Sequence, residues 1–308
     1  MYFDFFQHIL QIRKALSSFL YQLFRKVYSK VFRKPRLLFG ETILITGGGS
    51  GIGKLLAKKL AEEHHCRIVL WDIDFEKAKE TCEEIQSSFI SAYKVDISNR
   101  HEVYQTAEQV KRDIGNITIL INNAAIVPSR SIIDPESMDD DRIKTMQVNV
   151  LGNMWMCKAF LPSMITNKRG HLVTIGSAAG LVGAKGLAEY SASKFACIGF
   201  HESIQAEIYS LGLKEKVKTS LINPFYINTG MFNGIRTKNT YLLPILDAEF
   251  VTNKIVEAIL YNREIVNIPS IINFIPLFKL LPPSVYYTIM DYFGIQESMN
   301  TFEKIRKY

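Results

Sequence analysis

The stretch TILITGGGSGIGK, residues 42–54, decides the fold of this chain. A short β-branched run ends in three consecutive glycines, and a helical pattern starts at about Gly51. Glycines permit a tight turn and a close backbone approach to a pyrophosphate, which then rests on free amides at a helix N-terminus. Gly48 to Lys54 also reads GxxxxGK, but Leu55 stands where a P-loop needs a hydroxyl, so we discount a nucleoside-triphosphate site. The candidate phosphate-binding residues are Gly47, Ser50, Gly51, Ile52 and Gly53.

Outward from this turn, short apolar runs alternate with amphipathic stretches. The first helix is predicted from Gly51 to Glu63 and a second over the charged residues 74–87. The remaining predicted strands are RIVLW (67–71), FISAYKV (89–95), ITILIN (117–122), HLVTIGS (171–177, after a turn at Gly170) and KTSLIN (218–223). Short apolar strands separated by helices are typical of a parallel sheet that is covered on both faces. The sequence therefore predicts a doubly wound α/β fold.

The positive charge is confined to one end of the chain. Residues 1–36 hold eight Lys or Arg side chains against one acid, Asp4, whereas the remainder holds 29 basic and 29 acidic residues. The globular body is thus neutral and has no general attraction for nucleic acid. We predict three regions: a basic amphipathic segment (1–38), a dinucleotide-binding domain (39–268) and an apolar extension (269–308).

The N-terminal segment carries an apolar stripe at helical spacing. Its members are Phe5, Ile9, Ile12, Leu16, Phe19, Leu20, Leu23, Val27 and Val31. Its longest uncharged run, 15–24, is half of the about 20 residues that cross a bilayer. The segment either packs on its own domain or lies in a membrane interface. The concentration of cations favours the membrane, because each Lys or Arg near an anionic surface contributes about 1 kcal/mol.

The C-terminal region is uncharged from Ile265 to Phe278 but interrupted by prolines. Four prolines and Lys279 within about 20 residues argue against a spanning helix. We expect an apolar lid or a segment that dips into a membrane, with packing against the domain as the alternative. The four cysteines, Cys66, Cys82, Cys157 and Cys197, show no paired or metal-like spacing, so we expect free thiols and no metal site.

Two further sets of residues suggest the chemistry. Asp72 ends the second strand about 20 residues after the glycine turn, where a carboxylate accepts the ribose hydroxyls of NAD and repels the 2′-phosphate of NADP. Tyr190 and Lys194 lie four residues apart on a predicted helix, after a strand that closes with Ser177. Tyr-x-x-x-Lys alone is a weak motif, but its position at the carboxyl edge of a dinucleotide fold gives it weight.

With these motifs the sequence resembles the short-chain dehydrogenase/reductase superfamily over about residues 40–265. The matching pieces are TGGGSGIG (46–53), VDIS with Asp96, NNAA (122–125), QVNV with Asn149, Ser177, and YSASK (190–194). The resemblance implies a Rossmann fold. It also implies that Tyr190 is the general acid/base, that Ser177 polarises the substrate oxygen, and that Lys194 binds the nicotinamide ribose and lowers the tyrosine pKa. Asn149 would support a proton relay, Asp96 would meet the adenine, and Asn123 and Thr229 would contact the cofactor.

The sequence departs from the family pattern at two places. Ala125 replaces the glycine of the usual NNAG, and Phe225 replaces the glycine that usually follows Pro224. Phe225 would then face the substrate. Candidate apolar wall residues around the site are Leu181, Val182, Phe225, Met231, Phe232, Leu242 and Leu243.

A closer similarity links the chain to the membrane-associated retinol and 17β-hydroxysteroid dehydrogenase subfamily. It is carried by VLWDID, ILINNAAIV, KAFLPSMI, GHLVTIGSAAGL, FYINTGMF and DYFGIQESM. It implies NAD-linked oxidation of all-trans-retinol to retinal on the cytosolic face of the endoplasmic reticulum or lipid droplets. A 17β-hydroxysteroid dehydrogenase and a catalytically idle lipid-droplet coat protein are the alternatives. A homodimer is left open.

Overall fold

The computed structural model describes residues 34–85, 87–127, 132–134, 138–232, 234–299 and 302, together with ten positions between 7 and 21. The chain divides into two compact units, residues 1–37 and residues 38–308. The second unit is an α/β domain built on one seven-stranded sheet.

All seven strands of this sheet run parallel, in the order β3-β2-β1-β4-β5-β6-β7. Their bounds are β1 Thr42–Thr46, β2 Arg67–Asp72, β3 Ile90–Lys94, β4 Ile119–Asn122, β5 Gly170–Ile175, β6 Val217–Pro224 and β7 Ile265–Ile268. Six strands were predicted from the sequence within a few residues. Gly170 lies inside β5 and not in a turn, and Ser177 lies two residues beyond that strand. The edge strand β7 was missed.

Helices connect the strands and cover both faces of the sheet. They are α1 Gly51–Glu62, α2 Phe75–Glu84, α3 Arg100–Asp113, α4 Asp139–Met146, α5 Asn153–Thr166, α6 Ala188–Ser210, α7 Ala248–Tyr261, α8 Ile275–Phe278 and α9 Pro283–Tyr292. A π-helical turn, Gln147–Gly152, joins α4 to α5.

Local chemistry accounts for where several of these helices begin. The side chains of Asp74, Asn99 and Asp247 accept hydrogen bonds from backbone amides in the first turns of α2, α3 and α7. Such caps satisfy amides that have no partner within the helix and contribute about 1 kcal/mol each. The helix α7 ends at Tyr261, and its C-cap Asn262 adopts the left-handed conformation.

Two apolar layers hold the sheet between the helices. One face packs against α1 and α7 through side chains such as Leu56 and Ile255. The other face packs against α3 and α5 through side chains such as Val103 and Phe160. Full burial of each large aliphatic or aromatic side chain stabilises the fold by about 1.5–3 kcal/mol. The double coverage explains why the central strands read as continuous apolar runs.

Only part of the predicted N-terminal helix lies within the described residues. The described positions from Gln7 to Tyr21 are helical, and Leu16 and Leu20 are exposed there. The other members of the apolar stripe, Phe5, Ile9, Ile12, Phe19, Leu23, Val27 and Val31, lie outside the described residues. Across the described part of the chain, no helix combines the length and apolar character that spanning a bilayer demands.

Candidate active site

The glycine turn lies where the strand order reverses, between β1 and β4. In such sheets the crevice beyond the carboxyl ends of the strands binds ligands. Gly47 and Gly51 have φ values of 67° and 50°, a region that favours glycine. A Cβ atom added to Gly53 would lie 2.0 Å from the carbonyl oxygen of Gly47. Only glycine fits there, and the helix α1 begins directly at the turn, so the predicted dinucleotide cradle is geometrically suited to a pyrophosphate.

Asp72 lies beside this turn at the end of β2. Its Oδ2 accepts a hydrogen bond from the amide of Gly49 at 2.8 Å, and its Oδ1 accepts one from the amide of Asp74 at 3.0 Å. The side chain of the next residue, Ile73, is exposed. The structure thus fixes one carboxylate at the rim of the cradle, where the ribose of a dinucleotide would lie.

Further predicted cofactor residues border the same cradle. Asn123 Nδ2 donates to the carbonyl oxygens of Thr46 and Gly47, at 3.0 and 3.2 Å, and so ties the loop after β4 to the turn. Thr229, in the loop after β6, would lie 3.4 Å from a Cβ on Gly51. Ser50 is the N-cap of α1 without a side-chain cap bond, and the neighbouring Ile52 side chain is buried.

Asp96 forms a small polar network next to the cradle. Its Oδ1 accepts from the Ser98 hydroxyl at 2.6 Å, and its Oδ2 accepts from Lys144 Nζ at 2.9 Å. Burial works to raise the pKa of this carboxyl, but the hydrogen bonds from Ser98 and Lys144 outweigh it, and the pKa is lowered. Asp96 is therefore an anion that fixes the loop after β3. Lys144, which the sequence did not single out, is its partner.

The predicted reactive residues Ser177, Tyr190 and Lys194 converge behind the carboxyl ends of β5 and β6. All three are buried. The hydroxyls of Tyr190 and Ser177 share a hydrogen bond, and Lys194 Nζ lies 5.7 Å from the centre of the Tyr190 ring. Lys194 Nζ donates to the Ile175 carbonyl at 2.9 Å, which anchors it to the end of β5.

Burial is the largest influence on the pKa values of Tyr190 and Lys194. It raises the pKa of the Tyr190 phenol well above its usual value, although the hydrogen bond from Ser177 acts in the opposite direction. Burial likewise lowers the pKa of the Lys194 ammonium. Burial thus acts against the lowering of the tyrosine pKa that the family resemblance implies. The physical reason is desolvation, which disfavours the charged forms of both side chains.

Asn149, the fourth predicted catalytic residue, is fully buried in the π-helical turn. Its Oδ1 accepts from the Ile126 amide at 2.8 Å, and its Nδ2 donates to the Ile126 carbonyl at 2.9 Å and to the Ser193 hydroxyl at 3.0 Å. Ser193 in turn donates to the Tyr190 carbonyl at 2.7 Å. The Asn149 amide therefore links the loop after β4 to the helix that carries Tyr190 and Lys194.

An apolar cleft opens immediately after Ser177, between the catalytic loops and the C-terminal extension. It is lined by Ala178, Val182, Phe225, Leu243, Ile271, Ile272, Ile275, Phe278, Met290, Phe293 and Ile295. Three predicted wall residues, Val182, Phe225 and Leu243, are among them. Phe232 packs edge-on against Tyr190 with ring centres 5.8 Å apart, and Leu181 packs beside the cleft. Met231 and Leu242 are not among the residues that line the cleft, and Met231 is 41% exposed.

The sequence reading missed several residues that complete the site. Cys197 and Asn153 both hydrogen bond to the Asn149 carbonyl. Their spacing was a usable signal, since Cys197 follows Lys194 by one helical turn and Asn153 follows Asn149 by four residues. Ser298, whose hydroxyl lies 3.0 Å from the Tyr226 hydroxyl, brings the C-terminal extension to the site, and no local pattern predicts that contact. Within the described residues no cluster of three or more His, Cys, Asp or Glu could hold a metal ion.

Comparison with known proteins gives a consistent result. The family model for short chain dehydrogenase matches residues 41–240. Epidermal retinol dehydrogenase 2 of Mus musculus is 45% identical over 288 residues, which is 92% of this chain and 90% of that protein. Human 17-beta-hydroxysteroid dehydrogenase 13 is 38% identical over 281 residues, 89% of this chain and 90% of that protein. A short chain dehydrogenase/reductase from Burkholderia phymatum, crystallised with NAD, has a TM-score of 0.70 at 25% identity and covers 80% of this chain and 95% of its own.

Proposed function

Because the chain belongs to the short chain dehydrogenase family, we propose that it oxidises a lipophilic alcohol with NAD, and that this alcohol is all-trans-retinol. The observation that carries the proposal is the cleft beside Ser177, whose eleven lining residues are all apolar. A long hydrocarbon chain gains free energy on entering such a surface, about 25 cal/mol per Å² of apolar area removed from water.

The cleft is narrow, with about 20 Å³ of open volume. Small-molecule pockets usually measure about 300–1,000 Å³. A retinoid or steroid that enters must therefore displace part of the wall. The C-terminal extension supplies more than half of that wall, from Ile271 to Ile295, and it is the portion that leaves the sheet after β7. We infer that this extension moves when substrate binds.

The residues around Tyr190 fit the chemistry of alcohol oxidation. Ser177 would donate a hydrogen bond to the substrate oxygen, the Tyr190 phenolate would accept the alcohol proton, and Lys194 would hold the nicotinamide ribose through its remaining ammonium protons. Oxidised nicotinamide, when bound, would supply a hydride acceptor and a positive charge. That charge counts here, because burial raises the pKa of Tyr190 and general-base catalysis needs the deprotonated form. Phe232 and Leu187, packed beside Tyr190, exclude water from the reacting atoms.

The choice of NAD over NADP rests on Asp72. Its carboxylate stands at the rim of the cradle with both oxygens hydrogen bonded to nearby amides. A 2′-phosphate there would meet a fixed negative charge, whereas ribose hydroxyls would donate to it. Lys77, on the first turn of α2, is the nearby cation, but its ammonium lies 2.6 Å from the Asp74 carboxylate. It therefore only partly neutralises the negative charge of Asp72.

A 17β-hydroxysteroid dehydrogenase is the second candidate, supported by the relative at 38% identity. An apolar pocket discriminates weakly between rigid and flexible lipids of similar size. One experiment separates the candidates: NADH formation by the full-length enzyme in membranes, with retinol, estradiol and a simple fatty alcohol in parallel, each with NAD and with NADP. We expect the highest kcat/KM with retinol and NAD. Preference for estradiol would favour the second candidate, and no turnover of any alcohol would favour a coat protein.

We further propose that the enzyme works on the cytosolic face of the endoplasmic reticulum or of lipid droplets. The support is the surplus of cations in residues 1–36, the helical conformation of the described positions there, and the exposure of Leu16, Leu20 and Tyr21. A basic helix with an exposed apolar stripe binds in the interface of anionic membranes. Free thiols and NAD dependence agree with the cytosolic side.

A further inference from the structure

The π-helical turn at Gln147–Gly152 changes the hydrogen-bond partners of the backbone around Asn149. In an α-helix the amide of residue 153 would donate to the carbonyl of residue 149. Here the amide of Asn153 donates to the Val150 carbonyl instead. The side chain of Asn153 reaches the carbonyl that its own amide does not, and its Nδ2 donates to the Asn149 carbonyl at 2.5 Å. Isolated π turns of this kind occur frequently at functional sites.

A second donor reaches the same carbonyl from the catalytic helix. The thiol of Cys197 lies 2.8 Å from the Asn149 carbonyl oxygen, and Asn153 Nδ2 also lies 3.6 Å from the Cys197 sulfur. Cys197 follows Lys194 by three residues and Tyr190 by seven, so all three lie on one face of α6. Cys197 is 1% exposed. Burial raises the pKa of its thiol, which therefore stays protonated and able to donate.

Asn149 is thus held at both ends. Its side-chain amide hydrogen bonds to the backbone N–H and C=O of Ile126 and to the Ser193 hydroxyl. Its backbone carbonyl accepts hydrogen bonds from Asn153 and Cys197. We propose that Cys197 and Asn153 are positioning residues, which fix the π turn against α6 and thereby set the spacing of Asn149, Tyr190 and Lys194. The proposal rests on the dehydrogenase activity of the family and not on which alcohol is oxidised.

Cys197→Ala and Cys197→Ser separate hydrogen bonding from packing, because the two replacements are of similar size and only serine can donate. In the full-length enzyme with its best alcohol, we expect Cys197→Ala to lower kcat about tenfold, with KM for NAD changed less than twofold. Cys197→Ser should keep kcat within threefold. The pH midpoint of the acid limb of kcat should rise by about one unit in the alanine variant alone, since Tyr190 is then less well placed beside Lys194.

Thermal unfolding of both variants controls for packing. If alanine and serine lower kcat equally, or if kcat merely follows the loss of thermal stability, Cys197 only fills space and the proposal is wrong. A double-mutant cycle with Asn153→Leu adds a second test. The effects of Cys197→Ala and Asn153→Leu on kcat should be non-additive, because both residues act through one carbonyl. Strict additivity would contradict the proposal.

Hydrogen exchange provides a readout that needs no substrate. Amides of residues 123–127 and 147–152 should exchange at least fivefold faster in Cys197→Ala than in Cys197→Ser. Should the unsubstituted enzyme oxidise none of the alcohols, the proposed function fails while the exchange experiment still decides this proposal. Equal exchange in the two variants overturns it.

Discussion

At the scale of single residues, the assignment of Tyr190 as acid/base leads to a direct test. Replacing it by phenylalanine removes one hydroxyl and keeps the ring that packs on Phe232. We expect Tyr190→Phe to lower kcat at least a hundredfold, because general acid/base catalysis contributes about 10²–10⁴-fold. Binding of NADH, followed by fluorescence, should stay within threefold of the unsubstituted enzyme. Tyr209→Phe, at an exposed tyrosine on the same helix, is the control. Residual activity within tenfold of the unsubstituted enzyme would refute the assignment.

His201 makes a prediction about pH. It lies two turns beyond Lys194, 2% exposed, with Nδ1 2.8 Å from the Thr174 hydroxyl. Its Nε2 is buried and finds no hydrogen-bond partner among the described residues. Burial lowers the pKa of His201 to about 4. The unfolded chain binds a proton at about pH 6.5, so between these values the unfolded state holds more protons and stability falls as the pH falls.

We therefore expect the free energy of unfolding to drop by about 2 kcal/mol more between pH 7 and pH 5 in the unsubstituted protein than in His201→Gln. Urea denaturation at the two pH values measures this difference. His101→Gln, at an exposed histidine, should leave the pH dependence as it is. Identical pH dependence in His201→Gln and the unsubstituted protein would show that the ring is not held neutral.

At the scale of elements, six of the seven strands and the position of the cofactor cradle could be predicted from the sequence. Strands β1, β4 and β5 are buried on both faces, so apolar residues follow one another without interruption and mark them clearly. The edge strand β7 reads IVNI and is only partly buried. Its pairing with β6 joins segments more than 40 residues apart, which no local pattern records.

The candidate site was predictable to a similar extent. One helix carries both Tyr190 and Lys194, four residues apart, so they lie on the same face. Ser177 lies two residues beyond a strand that the sequence marks clearly. The π turn at Gln147–Gly152 is different, because no periodic pattern in the sequence marks it. The roles of Asn153 and Cys197 depend on that turn. The direction of the Tyr190 pKa also escaped prediction, since it depends on burial contributed by residues as distant as Phe302.

The C-terminal extension is apolar on both of its sides. Ile272 and Ile275 face the cleft, while between 265 and 290 the only charged side chain is Lys279. Its exposed apolar side chains are Phe274, Leu277, Leu280, Leu281, Val285 and Tyr287. An exposed apolar patch of this kind is typical of surfaces that bind lipid or another protein. Under the proposed membrane location, we expect the extension to contact lipid.

Leu280, 81% exposed, allows that contact to be measured. In full-length Leu280→Trp, vesicles of anionic phospholipid with brominated chains should quench the added tryptophan fluorescence by about half. The two native tryptophans, the fully buried Trp71 and the partly buried Trp155, give the background, which is measured in the unsubstituted protein. Tyr104→Trp is the matched control, since Tyr104 lies on α3, the helix that follows β3, and β3 and β7 form opposite edges of the sheet. Equal quenching at both positions, or none at 280, would mean that the extension does not dock on lipid.

At the scale of the whole molecule, the net positive charge lies in one of the two compact units. Residues 1–36 carry the entire surplus, and residues 38–308 form a unit with its own core. Deletion of 1–36 should weaken flotation with anionic vesicles at least thirtyfold at low salt, while turnover of a detergent-solubilised alcohol stays within threefold. Arg13→Gln with Lys14→Gln should lose about 2 kcal/mol of membrane affinity at low salt and less at high salt. Unchanged flotation of the deletion variant at both salt concentrations would rule out the N-terminal segment as an anchor.

The burial of the cysteines has a consequence for the lifetime of the enzyme. Under the proposed function, the product is a conjugated aldehyde, an electrophile that thiolates attack. Burial raises the pKa of the half-buried Cys82 to about 11 and that of Cys157 to about 12, and it also raises the pKa of Cys197. Cys66 is only 1% exposed. With its thiols protonated or enclosed, an enzyme that makes such an aldehyde would be shielded from alkylation by its own product, even where that product accumulates in lipid.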